Sequence, residues 1–370
     1  MSPSEHASCR AEAPAARERR PTRQLRVGPV SVGGGAPVRV QSMCNTDTRD
    51  PKATLAQIEA LHGAGCEIVR LAVPDERAAQ ALADIKAGSP IPLIADIHFD
   101  YRLALLAARN GADGLRINPG NIGGEKKVRA VVEEAAARGL PIRIGVNAGS
   151  VEKDLLKQYG RPCPEAMVES ALRHLEILER LGFGEVKISL KSSDILDTIA
   201  AYRLLAAKTD VPFHLGVTEA GPLIPGTVKS ALGIGLLLFE GIGDTIRVSL
   251  TRDPVDEVRV AWEILRALHL RSRGAELISC PTCGRCQVDL FGAVEEVERR
   301  LLKLRSPLKV AIMGCVVNGP GEAREADVGV AGGKKSGILF KKGKVVRKVA
   351  ERDLVGALLA EIEAMTGERL

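Results

Sequence analysis

A chain of 370 residues with 45% hydrophobic side chains exceeds one ordinary domain and can bury a large core. Its net charge of +6 is spread over scattered cations and only 3% of residues are aromatic, so nucleic acid is disfavoured while small anions stay open. No apolar run reaches the roughly 18 residues that cross a bilayer, so no membrane span is expected.

Residues 1–24 mix Arg, Glu, Ala and Pro without a hydrophobic stretch, which predicts a disordered tail and no export signal. Eight cysteines in such a chain argue for reduced thiols or metal ligands in a cytoplasmic setting. From 25 to 272, β-rich runs recur at 38–43, 68–73, 93–98, 114–118, 142–147, 186–191, 213–217 and 245–250. Amphipathic helical stretches such as 53–62, 102–110 and 165–181 lie between them, several followed by a closing glycine (Gly63, Gly111, Gly139, Gly182). Eight βα units in succession predict an α/β fold, a (β/α)8 TIM barrel; an open doubly wound sheet is the alternative.

Because strand side chains alternate, each run separates an apolar face from a polar one. The apolar face should meet the outer helices, which leaves Arg70, Asp96, His98, Arg116, Asn118, Arg143, Asn147, Lys191, Arg247 and Ser249 pointing inward. Barrel interiors are normally aliphatic, and cations buried there without partners are costly. Arg70, Arg116, Arg143, Lys191 and Arg247 come from five strands and suit a phosphate or diphosphate clamp. Internal pairing with Asp96, Asp113 or Glu67 is the plainer reading. Asp96 and His98 are candidates to orient substrate hydroxyls. Glu219, just past the seventh strand, is placed for proton transfer or for a salt bridge to the clamp. The stretch 222–226 after it looks like a mobile loop.

Residues 273–370 form a second, smaller α/β domain carrying the densest signal. Cys280, Cys283 and Cys286 fall within SCPTCGRC, and Cys315 and Glu322 within MGCVVNGPGEA. A C-x2-C pair closed by a distant third thiolate serves zinc and iron–sulfur clusters alike. Cys286 or Glu322 could supply the fourth ligand, and spacing does not choose between them. Strands are expected at 307–313, 327–330 and 337–341, with helices near 294–304 and 352–365. The basic stretch 341–348 reads as a solvated face or as a dock for an acidic electron donor.

SCPTCGRC and MGCVVNGPGEA resemble the cluster motifs of the 4-hydroxy-3-methylbut-2-enyl diphosphate synthase family of the non-mevalonate isoprenoid pathway. VQSMCNTDT, ADIHFD, RINPGNIG, IRIGVNAGS, ISLKSSD, LGVTEAG, KSALGIGLLL and EGIGDTIRVSL are similar to it in the same order, over about residues 25–365. The resemblance implies a pterin-enzyme-like barrel followed by an iron–sulfur domain like part of sulfite and nitrite reductases. It implies reductive ring opening of 2-C-methyl-D-erythritol 2,4-cyclodiphosphate, a [4Fe–4S] cluster on Cys280, Cys283, Cys315 and Glu322, and proton transfer at Glu219. It further implies flavodoxin or ferredoxin as donor, and a homodimer in which one chain's cluster domain caps the other's barrel. Two rivals stand beside it: a pterin-dependent transferase barrel with a structural zinc domain, and a zinc-finger nucleic-acid binder. A radical S-adenosylmethionine enzyme is disfavoured, since C-x3-C-x2-C does not occur.

Overall fold

The computed structural model describes residues 17–315 and 323–370 and divides the chain into two compact units between Arg271 and Ser272. In the first unit a short hairpin, β1 (Leu25–Val27) and β2 (Val30–Val32), precedes eight parallel strands. These are β3 (Arg39–Met43), β4 (Ile68–Ala72), β5 (Leu93–Asp96), β6 (Gly114–Ile117), β7 (Ile142–Asn147), β8 (Val186–Lys191), β9 (His214–Leu215) and β10 (Thr245–Ile246). They pair in the order β8-β7-β6-β5-β4-β3-β10-β9, and a parallel bridge between Ile188 and Phe213 joins the two ends into a closed barrel.

Local chemistry sets the entry of each helix. Asp50, Asp75, Asp100, Asp194 and Asp253 each precede a helix and accept a hydrogen bond from an N–H of its first turn, satisfying a donor that has no partner within the helix. The apolar faces of the strands, among them Leu71, Leu115, Ile144 and Ile188, are buried against those helices in one large core. At the opposite end Leu25, Val27 and Val32 of the hairpin pack on Ile68 and Ile94 and close the barrel floor.

Three expectations need correction. Residues 17–24 are not a loose tail: the Arg17 and Arg20 N–H groups donate to Phe239 and Gly241, and Arg19 pairs with Asp244 at 2.7 Å. Arg20 lies 4.1 Å from the centre of the Phe213 ring and donates to the Val211 carbonyl at 2.7 Å. Charged composition suggested disorder, but each arginine has a fixed acceptor on the barrel floor; residues 1–16 lie outside the described residues. The stretch 222–226 is not a loop either, because the helix Leu223–Phe239 starts within it. Pro225 falls in the first turn, where its missing N–H costs nothing. Finally, the first long helix runs past Gly63 and ends at Gly65, which takes the left-handed conformation at φ 105°.

The second unit is a five-stranded sheet in the order β11 (Ala275–Ser279), β12 (Leu308–Met313), β13 (Val328–Ala331), β14 (Ser336–Lys341) and β15 (Lys344–Ala350). The first three strands are parallel and the last two antiparallel. Helices Leu290–Leu301 and Leu354–Thr366 share a core with one face, through Val310, Ile312, Val330 and Leu339. Ala311, Met313, Ala331 and Phe340 form a smaller cluster on the other. The sequence reading missed β11 and took β15 for a basic stretch only. Among the described residues no helix is long and apolar enough to cross a membrane.

Candidate active site

Strand register brings the inward cations to one level. Asp96 stands beside Arg116, Arg116 beside Arg143, and Arg143 beside Lys187; Arg70 is opposite Met43, and Lys191 opposite Asn147. Around these residues lies a cavity of about 230 Å³. All five clamp cations line it, together with Asp96, His98, Asn147 and Ser249. Asn118 and Glu219 do not. Asn118 is buried at the end of β6, where its carbonyl accepts from Asn121. Ser189, on the polar face of its strand with Lys191, completes the wall together with Met43 and Thr218, which were not anticipated although each has the inward parity of its strand.

One carboxylate organises the cavity. Asp96 meets Arg116 at 3.2 Å, Arg70 at 3.5 Å and His98 at 3.8 Å. Burial pushes its pKa up, but Arg70, Arg116 and Arg143 outweigh that and hold it below its ordinary value. Arg70 also donates to the Met43 sulfur at 2.8 Å, and Arg247 meets Glu257 at 3.3 Å. Arg143 is 1% exposed, and its Nε and Nη1 have no hydrogen-bond partner among the described residues. Burial, then repulsion from Arg70 and Arg116, lowers its pKa well below the ordinary value. Lys191 is lowered likewise by burial and by the neighbouring cations, while Arg70 is pushed down to about 10. A cavity this rich in unneutralised cations is built to receive an anion.

Two glycines make room for the clamp. A Cβ at Gly145 would stand 2.5 Å from Arg116 Nε, and one at Gly216 would stand 2.9 Å from Lys191 Nζ and 2.7 Å from the Arg247 carbonyl. Deeper in the barrel, Lys187 is fully buried and pushed down to about 7 by burial and by Arg143. Its neighbour His214, bonded through Nδ1 to Thr245 Oγ1 at 2.7 Å, is kept neutral by burial. Glu219 is exposed and holds a left-handed backbone at φ 53°, a conformation that a non-glycine residue takes at a cost and that clusters at functional sites.

In the second unit, the cysteines follow the C-terminal ends of the adjacent strands β11 and β12, whose register pairs Ser279 with Ile312. Cys280 Sγ accepts the Gly314 N–H at 3.2 Å, and hydrogen bonds from the backbone and side chain of Arg285 hold the Cys283 thiol below its ordinary pKa. The lowering at Cys283 favours thiolate, the form that ligates a soft metal. Cys286 behaves differently: it donates to the Val288 carbonyl at 3.3 Å, and its sulfur fills the space where a Cβ on Gly314 would come within 2.6 Å. Among the described residues no three His, Cys, Asp or Glu side chains converge on a single metal position. Glu322 lies outside the described residues. Cys280 and Cys283 at one strand end and Cys315 beyond the next suit a sulfur-held metal group. By contrast, burial pushes Cys44 and Cys66 of the barrel up to about 12, leaving them inert.

Both units find counterparts among known proteins. The model of the GcpE TIM-barrel domain matches residues 22–262, and that of the GcpE protein C-terminal domain matches residues 276–364. A relative in Geobacter sulfurreducens is 65% identical over 348 residues, covering 94% of this chain and 99% of its own. One in Lawsonia intracellularis is 61% identical over 351 residues, covering 95% of this chain and 98% of its own. Both bear the name 4-hydroxy-3-methylbut-2-en-1-yl diphosphate synthase (flavodoxin). Among solved structures, a dihydropteroate synthase from Yersinia pestis matches with a TM-score of 0.46 at 14% identity, over 66% of this chain and 97% of that one. With a family model on each unit and relatives of this identity along nearly its whole length, the chain belongs to the GcpE family.

Proposed function

We propose that this chain converts 2-C-methyl-D-erythritol 2,4-cyclodiphosphate to (E)-4-hydroxy-3-methylbut-2-enyl diphosphate by reductive ring opening with loss of water. The observation that carries this reading is the cavity in which five strands each present a cation and Asp96 is the shared carboxylate. The name borne by relatives along both units supports it. The pterin-transferase rival gains nothing, since relatives bearing the synthase name span 94–95% of this chain and so take in the cysteine-bearing unit as well as the barrel.

We assign the substrate to the barrel unit and a [4Fe–4S] cluster to the second, held by Cys280, Cys283, Cys315 and Glu322. When bound, such a cluster supplies electrons singly and a Lewis-acidic iron. The chain's own residues do the rest. Arg70, Arg116, Arg143, Lys191 and Arg247 grip the diphosphate and hold it after the ring opens, so that charge freed at the tertiary carbon's former oxygen is already paired. Asp96 fixes the fans of Arg70 and Arg116 and, with His98, Asn147 and Ser249, positions the hydroxyls. Glu219 Oε gives a proton to the departing hydroxyl, which leaves as water. Counted on neutral species, two electrons and two protons enter for each water lost.

Flavodoxin is the donor in this reading, following the relatives' name. Homodimer formation belongs to it too. The helix Leu223–Phe239 exposes Ile224, Val228, Leu232 and Leu236 at a spacing of four residues, an apolar stripe of the kind that packs against a second copy. The seven cysteines among the described residues are all free, which suits a reducing cytoplasm. Anaerobic incubation of the reconstituted enzyme with the cyclodiphosphate and dithionite tests the assignment: brown protein with about four irons and sulfides per chain and formation of the linear diphosphate are expected. Colourless, zinc-loaded protein without product contradicts it.

A further inference from the structure

Several exposed or half-buried arginines on the barrel sit against carboxylates: Arg102 on Asp100, Arg109 on Glu134, Arg173 on Asp154 and Arg203 on Glu240. The edge strand β15 gathers its unpaired cations in one run. Lys344, Val345, Val346, Arg347 and Lys348 are exposed in succession, and none of the three cations has an ion-pair partner among the described residues. Lys342, on the turn before them, is exposed as well. Lysines on a sheet edge can serve simply to block pairing with another sheet. A strand that needed only protection would not also display two valines, 58% and 50% exposed. An apolar patch ringed by unneutralised charge is the pattern of a small docking surface steered by an oppositely charged partner.

The strand is also wired to the cysteines. Val345 is in register with Phe340 on β14, and Phe340 shares an apolar cluster with Met313, Ala331 and Cys280. Three strand spacings of about 4.8 Å put β15 about 14 Å across the sheet from β12. That is a short reach for electron transfer through packed protein. We propose that the edge formed by Lys342, Lys344, Arg347 and Lys348 around Val345 and Val346 is the docking surface for an acidic flavoprotein that delivers electrons one at a time. The proposal rests on the iron–sulfur reading above. At each encounter an anionic flavin hydroquinone loses one electron and becomes the neutral semiquinone; two encounters supply the pair that ring opening consumes. A second copy pairing edge to edge would set these cations against each other, and a nucleic acid would find no aromatic ring on the strand.

The test uses the full-length protein and oxidised flavodoxin, with binding followed by flavin fluorescence at low salt. In the Lys344→Glu, Arg347→Glu, Lys348→Glu triple variant the Kd should rise at least about tenfold, and wild-type affinity should fall as salt is added. Flavodoxin-driven kcat/KM should fall in parallel while dithionite-driven turnover stays at the wild-type rate, which also shows that the variant is folded. The milder triple exchange to Gln should weaken binding by about threefold. A Kd within twofold of wild type in the charge-reversed protein overturns the proposal, as does equal loss of affinity for a polynucleotide probe. Because the titration needs no turnover, it judges the surface even if wild-type enzyme fails to make product with dithionite, a result that would sink the assigned reaction instead.

Discussion

The two ends of the barrel treat charge in opposite ways. At the floor, Glu67 takes both Arg39 at 2.8 Å and Arg271 at 2.7 Å and accepts the Val40 N–H; Asp244 takes Arg19 and the Phe213 N–H; Asp113 takes Lys86 at 2.6 Å and the Leu93 N–H. Each acid there closes a local network. At the mouth, five cations face Asp96 and Glu257, and donor atoms of Arg116, Arg143 and Arg247 are left without partners among the described residues. Ion pairs that hold a fold together are completed within the fold, whereas a binding site stores the repulsion that its ligand relieves. The presence of charge inside a barrel is therefore less informative than whether the charge is balanced.

That contrast can be broken at several points. Glu219→Gln keeps the shape of the side chain and removes the proton donor proposed for the reaction, so kcat should fall about a thousandfold with KM within a factor of about three. Unchanged kcat in single-turnover assays would remove Glu219 from the chemistry. At the floor, Glu67→Gln should do the reverse, costing about 2–3 kcal/mol in urea unfolding while the kinetic constants of the folded enzyme hold. A kinetic defect without lost stability would mean that the two ends are not separate in role. Gly216→Ala pushes on Lys191 and on the backbone carbonyl of Arg247, so KM should rise about tenfold and the unfolding midpoint should fall with it.

The smallest effect concerns pH and the empty protein. Lys187 is pushed down to about 7 in the fold from 10.5 when free. Below pH 7 both states hold the proton; between about 7 and 10.5 only the unfolded chain does. Stability should therefore rise with pH across that window, by about 3–5 °C in melting temperature. Lys187→Met should flatten the rise, and an equally steep curve in the variant would place the titration elsewhere.

Much of the mouth was legible because strand parity is rigid: the alternation around Arg116, Arg143 and Lys191 fixes the face on which each points, whatever the exact strand ends. Clearance was not legible, since Gly145 and Gly216 matter only through the side chains of neighbouring strands. Nor was the order of residues 17–24, whose partners Asp210 and Asp244 lie far along the chain. Lys344–Ala350 reads as a charge run because an edge strand with one buried residue lacks the alternation that marks a strand. Glu219 could be picked out by position, but its left-handed backbone is set by the turn around it.

Calorimetric titration of the cyclodiphosphate into metal-free protein probes the unbalanced mouth most directly. Wild type should bind with an affinity that falls steeply with salt. Arg143→Met should weaken it about a hundredfold yet melt at a higher temperature than wild type, and Cys315→Ser should bind like wild type. Undiminished binding by the Arg143→Met protein, together with a lower melting temperature, would contradict the account.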